Sequence, residues 1–177
     1  MRAKARLFGH PIHQMLIVVP LGLLGTSLVV DIAHLATGNP LWGTISYWLI
    51  VAGILSGLVA APFGLIDWLA IPTGTRAKRI GLLHGGGNVV VLLLFVVSWW
   101  MRRDDPGNPE GLAIGLSTVA VLLALVTGWL GGELVDRLGV GVDEGANLNA
   151  PSSLSGRPAA EPAPLAGAGA APRTGRR

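Results

Sequence analysis

The stretch from Trp42 to Ile66 reads WGTISYWLIVAGILSGLVAAPFGLI and contains no Asp, Glu, Lys or Arg. An α-helix rises about 1.5 Å per residue and the hydrocarbon core of a bilayer is about 30 Å thick, so a run of this length crosses it. A barrel strand would alternate polar and apolar side chains over about ten residues, which this segment does not. In lipid a helix satisfies its own backbone. Outward from it, three more runs have the same character: Pro11 to Val30, continuing through Asp31 and His34 to Thr37, then Ile80 to Met101 and Gly111 to Gly132. The predicted fold is all-α, an integral membrane four-helix up-and-down bundle. Its helices cover about 11–37, 42–70, 80–101 and 111–137 of a four-span domain 11–142, which follows a basic segment 1–10.

Composition agrees with this reading. Of 177 residues, 51% are hydrophobic and 13% charged, roughly half the charge of an ordinary soluble domain. The absence of cysteine excludes a disulfide framework, a thiolate zinc site, a cysteine-ligated iron–sulfur cluster and a cysteine nucleophile. A net charge of +3, confined to short flanks, points to topology and not to a nucleic-acid partner. MRAKAR before an apolar run resembles a secretory signal, but His10, Pro11, His13 and Gln14 interrupt the core such a signal needs.

Basic residues beside membrane spans stay cytoplasmic. Arg2, Lys4, Arg6, Arg76, Lys78, Arg79 and Arg137 fall on one side, and Arg102 and Arg103 in the loop 102–110 fall on the other, seven against two. The expectation is a bacterial cytoplasmic (inner) membrane protein with both termini cytoplasmic. Trp42, Trp48, Trp99 and Trp100 mark the outer interface; Trp68 and Trp129 mark the inner one. After Val142 the apolar pattern ends, and from Ala150 the chain is mostly Ala, Pro and Gly, so 143–177 is expected to be a disordered tail. Small residues four apart, among them Gly53, Gly57 and Ala61, Gly81 and Gly85, Gly111 and Gly115, and Gly128 and Gly132, suit close helix contact within one chain or in a homo-oligomer. Pro20 and Pro62 predict mild kinks.

Function is sought in the ionisable residues. His10 and His13 open helix 1, Asp67 closes helix 2, His84 lies about one turn inside helix 3 and Glu133 closes helix 4, all at the cytoplasmic level. Polar residues within spans are costly, so they point to a site. Pro11 as first helical residue would project His10 and His13 on similar sides. Helices 1 and 3 are diagonal in such a bundle, so His13 and His84 are expected to face each other. With Asp67 and Glu133 as ligands this is a divalent-metal site for zinc, iron or manganese. With the histidines alone it is a site for b-type haem.

Of these cofactors, haem, iron or manganese would suit a redox or electron-transfer role, for which a separate redox protein would be the partner. The alternative is a non-catalytic scaffold or interaction subunit in which these side chains are caps and ion pairs to Arg76, Lys78, Arg79 or Arg137. Asp31 and His34 read as a wet capping pair, and Asn88, four residues after His84, as an inter-helix hydrogen bonder or a support for that ring. Thr73 to Thr75 read as a turn. No Gly-x-Ser-x-Gly elbow occurs, and Ser27, Ser56 and Ser98 have no histidine at their depth. An uncharged midplane disfavours a transporter.

The chain from about Phe8 to Val142 resembles a bacterial family known as domain of unknown function 2231. The resemblance rests on Gly9-His10-Pro11-Ile12-His13, Asp67-Trp68, Leu83-His84 with Asn88, and Gly128-Trp129-Leu130-Gly131-Gly132-Glu133-Leu134 leading to Gly139-Val140-Gly141-Val142. It implies a four-helix membrane protein and, because relatives are sometimes joined to a Rieske-type iron–sulfur domain, a redox setting. This chain departs from the pattern at Gln14, where many relatives carry Pro, and at Leu138, where they carry His. A ligand role at that second position is therefore absent.

Overall fold

Pro20 has no N–H to give the carbonyl of Leu16, and the first span divides at that carbonyl. The computed structural model, which describes residues 1–161, gives α1 (Ile12–Leu16) and α2 (Val18–Thr37), joined through Ile17, which keeps helical dihedrals and bonds to His13 and Leu21. Pro62 has a smaller effect, and α3 (Pro40–Leu69) runs through it as one helix. Asn39 caps α3 by accepting the Leu41 N–H at 3.0 Å, with Pro40 in the first turn, where a missing donor costs nothing.

α4 (Arg76–Met101) starts four residues before the apolar run does. Thr75, expected only as part of a turn, is its N-cap and accepts the Lys78 N–H at 3.1 Å. Arg76, Lys78 and Arg79 therefore belong to a helix and not to a loop. α5 (Gly111–Gly132) continues into one π-helical turn, Glu133–Arg137, closed by the Leu138 N–H on the Glu133 carbonyl at 3.2 Å.

Four helices are thus long and apolar enough to cross a membrane: Ile12–Thr37, Pro40–Leu69, Arg76–Met101 and Gly111–Arg137. The most extensive contacts are α2 on α3 and α4 on α5, with α3 on α4 and α2 on α5 closing the ring. This is the expected up-and-down order, with the first and third spans diagonal. Leu24, Ile50, Ile54, Val91, Phe95 and Ala120 form the central core. Leu55, Leu93, Leu122 and Leu125 stay exposed on the outer surface, as side chains in lipid contact should.

The small residues serve unevenly. A Cβ on Gly53 would stand 2.5 Å from Leu24 Cδ2, and one on Gly57 would stand 3.0 Å from Leu92, so α3 uses its stripe within the chain. Gly85, Gly111, Gly115, Gly128 and Gly132 have nothing within 4 Å of that position.

The N-terminal segment is a hairpin, β1 (Arg6–Leu7) paired antiparallel with β2 (His10–Pro11). Its two-residue turn is Phe8-Gly9, both with positive φ (49° and 86°), the primed geometry that matches strand twist. Gly9 takes this conformation without strain, whereas Phe8 takes it as an L-residue rarely does. Residues 143–161, which fall in the expected disordered tail, lie back toward this hairpin. Arg2 and Arg6 pair with Asp143 at 2.8 and 2.5 Å, and Ser153 donates to the Phe8 carbonyl at 3.1 Å. The remainder of that tail lies outside the described residues.

Candidate functional site

Polar side chains gather at two levels of the bundle, and the one better built was not expected. Asp31, about 9 Å below the C-terminal end of α2 at helical rise, is fully buried. It receives Arg102, a residue the sequence places in the outer loop 102–110 and the structure places inside the bundle. Arg102 Nη1 donates to Asp31 Oδ1 at 2.7 Å and Nη2 to Oδ2 at 2.8 Å.

The remaining guanidinium hydrogens go to Ser46 (3.1 Å), Ser117 (3.1 Å) and, from Nε, Ser98 (3.3 Å). All five donors of the planar fork are used. The serines are satisfied in turn: Ser46 donates to the Ser27 carbonyl at 3.2 Å, Ser98 to the Ala113 carbonyl at 2.7 Å, and the Ser98 and Ser117 hydroxyls lie 2.8 Å apart. Each of the four spans contributes one part. Gly107 of the following loop packs against Gly43, where a Cβ would sit 2.5 Å from the Gly107 carbonyl oxygen. The Asp31–His34 capping pair is therefore corrected: Asp31 belongs to Arg102, and His34 Nδ1 lies 3.2 Å from the Asn39 carbonyl. Spacing held the signal, since Ser27 with Asp31 and Ser98 with Arg102 are each four apart on one helix face.

At the other end, which carries the N-terminal hairpin, His13 of α1 and His84 of α4 meet across the diagonal. Their ring centroids are 6.4 Å apart with perpendicular planes. His13 Nδ1 is 3.1 Å from the Ala60 carbonyl of α3, and His84 Nδ1 is 2.8 Å from the Thr127 carbonyl of α5. A carbonyl has no proton to offer, so Nδ1 is the donor in both rings, and Nε2 is the nitrogen that carries the lone pair whenever the ring is neutral.

Glycines make the room. A Cβ on Gly64 would come within 2.8 Å of the His13 ring, and one on Gly131 within 3.0 Å of the His84 ring. Asn88 Nδ2 donates to the His84 carbonyl at 2.9 Å and lies 3.4 Å from His84 Nε2. Its Oδ1 is 2.9 Å from the Thr127 hydroxyl. Asn88 is therefore an inter-helix hydrogen bonder between α4 and α5, with its amide beside the His84 ring.

The other three residues expected at this level have different partners. His10 lies in β2 and not on the helix, because the Phe8-Gly9 turn puts Pro11 at the N-cap; its Nε2 is 3.4 Å from Ser153 Oγ. Asp67 Oδ1 accepts the backbone N–H groups of Lys4 (2.6 Å) and Ala5 (3.0 Å), fastening the N-terminal segment to the end of α3. Glu133 pairs with Arg76 at 2.7 Å. Among the described residues, no group of three or more His, Asp or Glu side chains is close enough together to hold a metal ion.

Outside the spans, Asp143 is held well below the usual carboxylate range, at about 2, chiefly by its hydrogen bond from Arg6. The same bond raises Arg6. Nearby, the Gly141 N–H donates to the Met1 carbonyl at 2.8 Å. At φ 86°, Gly141 also places its missing side chain against Gln14, so the glycine-valine repeat is what lets the chain reverse there.

Four apolar spans, one saturated ionic network and one diagonal imidazole pair define a multi-pass membrane protein with polar chemistry inside the bundle. Residues 9–144 match the family model described as predicted membrane protein, domain of unknown function 2231, and the chain belongs to that family. No curated protein and no solved structure matches it.

Proposed function

We propose that His13 and His84 would hold a b-type haem, which would let the protein carry electrons within the membrane to or from a separate redox protein. The observation that supports this reading is the pair itself: two imidazoles on diagonal helices, each with Nδ1 tied to a backbone carbonyl. Metal-binding histidines are held in this way, because the second hydrogen bond fixes the tautomer and makes the ligating nitrogen more basic.

Spacing agrees. The ring centroids are 6.4 Å apart, close enough for both imidazoles to serve one bound group. Asp67 and Glu133 have structural partners and His10 lies in the hairpin, so the donor set is two imidazoles, the set that haem requires and a bare divalent ion does not favour.

The bundle sits in the bacterial inner membrane with its termini cytoplasmic in this reading. With Arg102 sealed inside, Arg103 is the basic residue left on the opposite loop. The test is an absorption spectrum and elemental analysis of protein purified in detergent from its native membrane. A Soret band with one iron per chain, lost in His84→Ala, is expected. Stoichiometric zinc or manganese without a Soret band would replace haem by an ion, and absence of any cofactor would leave the scaffold reading.

A further inference from the structure

The two histidines are not equivalent. His13 has one tie, from Nδ1 to the Ala60 carbonyl, and its Nε2 has no hydrogen-bond partner among the described residues. His84 is held at both nitrogens, and both restraints pass through one residue of α5. The Thr127 carbonyl takes the Nδ1 proton at 2.8 Å, and the Thr127 hydroxyl, 2.9 Å from Asn88 Oδ1, turns the Asn88 amide so that its Nδ2 faces His84. Nδ2 bonds the His84 carbonyl at 2.9 Å and stands 3.4 Å from Nε2, the atom that would ligate.

We propose that Asn88 is a positioning residue that reserves the His84 Nε2 lone pair, and that Thr127 sets it in place. This rests on the cofactor reading above for its purpose, but not for its geometry. A neutral imidazole protonated at Nδ1 has one acceptor site. An amide N–H directed at that site both selects the tautomer competent to ligate and competes with the ligand. The 3.4 Å separation makes the competing bond a weak one, so it yields to a metal while still holding the ring against rotation. His13 is then the ligand that adjusts and His84 the one fixed beforehand.

The test uses the full-length protein in nanodiscs, with 15N-labelled histidine and no added metal, followed by titration with haemin. In the native protein the His84 resonances are expected to report Nδ1–H and an Nε2 that accepts a hydrogen bond. In Asn88→Ala the Nε2 resonance moves toward that of a free acceptor, and haemin binds roughly 2- to 5-fold faster, as expected for release of one weak hydrogen bond. Thr127→Val keeps its backbone carbonyl and its bulk, so it shifts Nε2 in the same direction by less while leaving Nδ1 unchanged. An Nε2 resonance unmoved by Asn88→Ala in folded protein overturns the proposal, as does haemin binding that slows. If the resonance moves and haemin does not bind even the native protein, the role of Asn88 stands and the haem reading falls.

Discussion

The two ends of the bundle use polar residues in opposite ways. At the Arg102 end, every guanidinium N–H and both carboxylate oxygens have partners, and the side chains of Arg102 and Asp31 are fully excluded from the surface. At the His84 end the rings are only half-buried, and each ring nitrogen tied to backbone leaves another with a weak partner or none. A saturated network has no valence to offer a ligand, so its role is to hold four helices in register. An imidazole pair with one lone pair unpartnered and the other only weakly engaged is costly to keep in a membrane for structure alone, since a leucine pair would pack there without an orphaned acceptor. The difference separates the part of the polar content that builds the bundle from the part available for chemistry.

The largest effect that can break this comparison is at the ion pair. Arg102→Ala leaves Asp31 charged or protonated without a partner, and a loss of about 3–5 kcal/mol in unfolding free energy is expected, read from denaturant unfolding in mixed micelles. Removing both partners, as in Asp31→Ala with Arg102→Ala, should recover part of that loss, because much of it is the penalty of a stranded charge. A double variant as unstable as the sum of the singles would mean that the two side chains act separately.

An intermediate effect is expected at Asp67. Asp67→Ala strands the N–H groups of Lys4 and Ala5, which Asp67 Oδ1 accepts at 2.6 and 3.0 Å. About 1–3 kcal/mol of local stability should go with it. Faster amide exchange confined to residues 4 and 5 and the adjoining hairpin is the signature, with the helices unaffected.

The smallest effect is pH-dependent and lies outside the membrane. Asp143 has a folded value near 2, below its ordinary value, so its ion pair contributes stability that is fully present above the ordinary carboxylate range and lost as pH falls through about 2. Protection of the Gly141 amide should therefore hold at neutral pH and decline below about pH 4, the ordinary carboxylate value. In Asp143→Asn it should be low throughout and flat with pH.

Most of the architecture was legible in the sequence because the bilayer imposes a simple rule, and runs such as Trp42 to Ile66 obey it by composition alone. The diagonal approach of His13 and His84 followed from helix order. The Arg102 network did not, for a definite reason: Arg102 opens the run Arg102-Arg103-Asp104-Asp105, which reads as a solvated loop, and its side chain reaches back into the bundle from the end of α4. Serines read singly carry no signal; taken with Asp31 and Arg102 at four-residue spacing they do. The His10 placement was hidden by a turn that needs positive φ at Phe8, a residue that does not advertise it. Arg76 is among the ion-pair partners the sequence offers for Glu133, whereas the partners of Asp67 depend on how the N-terminal segment is laid down, which periodicity does not encode.

The most direct test of the division between the two ends sets three proteins side by side: the native chain, His84→Ala and Arg102→Ala, each purified from the same native membrane and scanned for visible absorption and unfolding midpoint. The account predicts a Soret band in the native protein, a stable His84→Ala without it, and an Arg102→Ala whose midpoint drops sharply. A native protein with no absorbing cofactor, or a His84→Ala as unstable as Arg102→Ala, would contradict it.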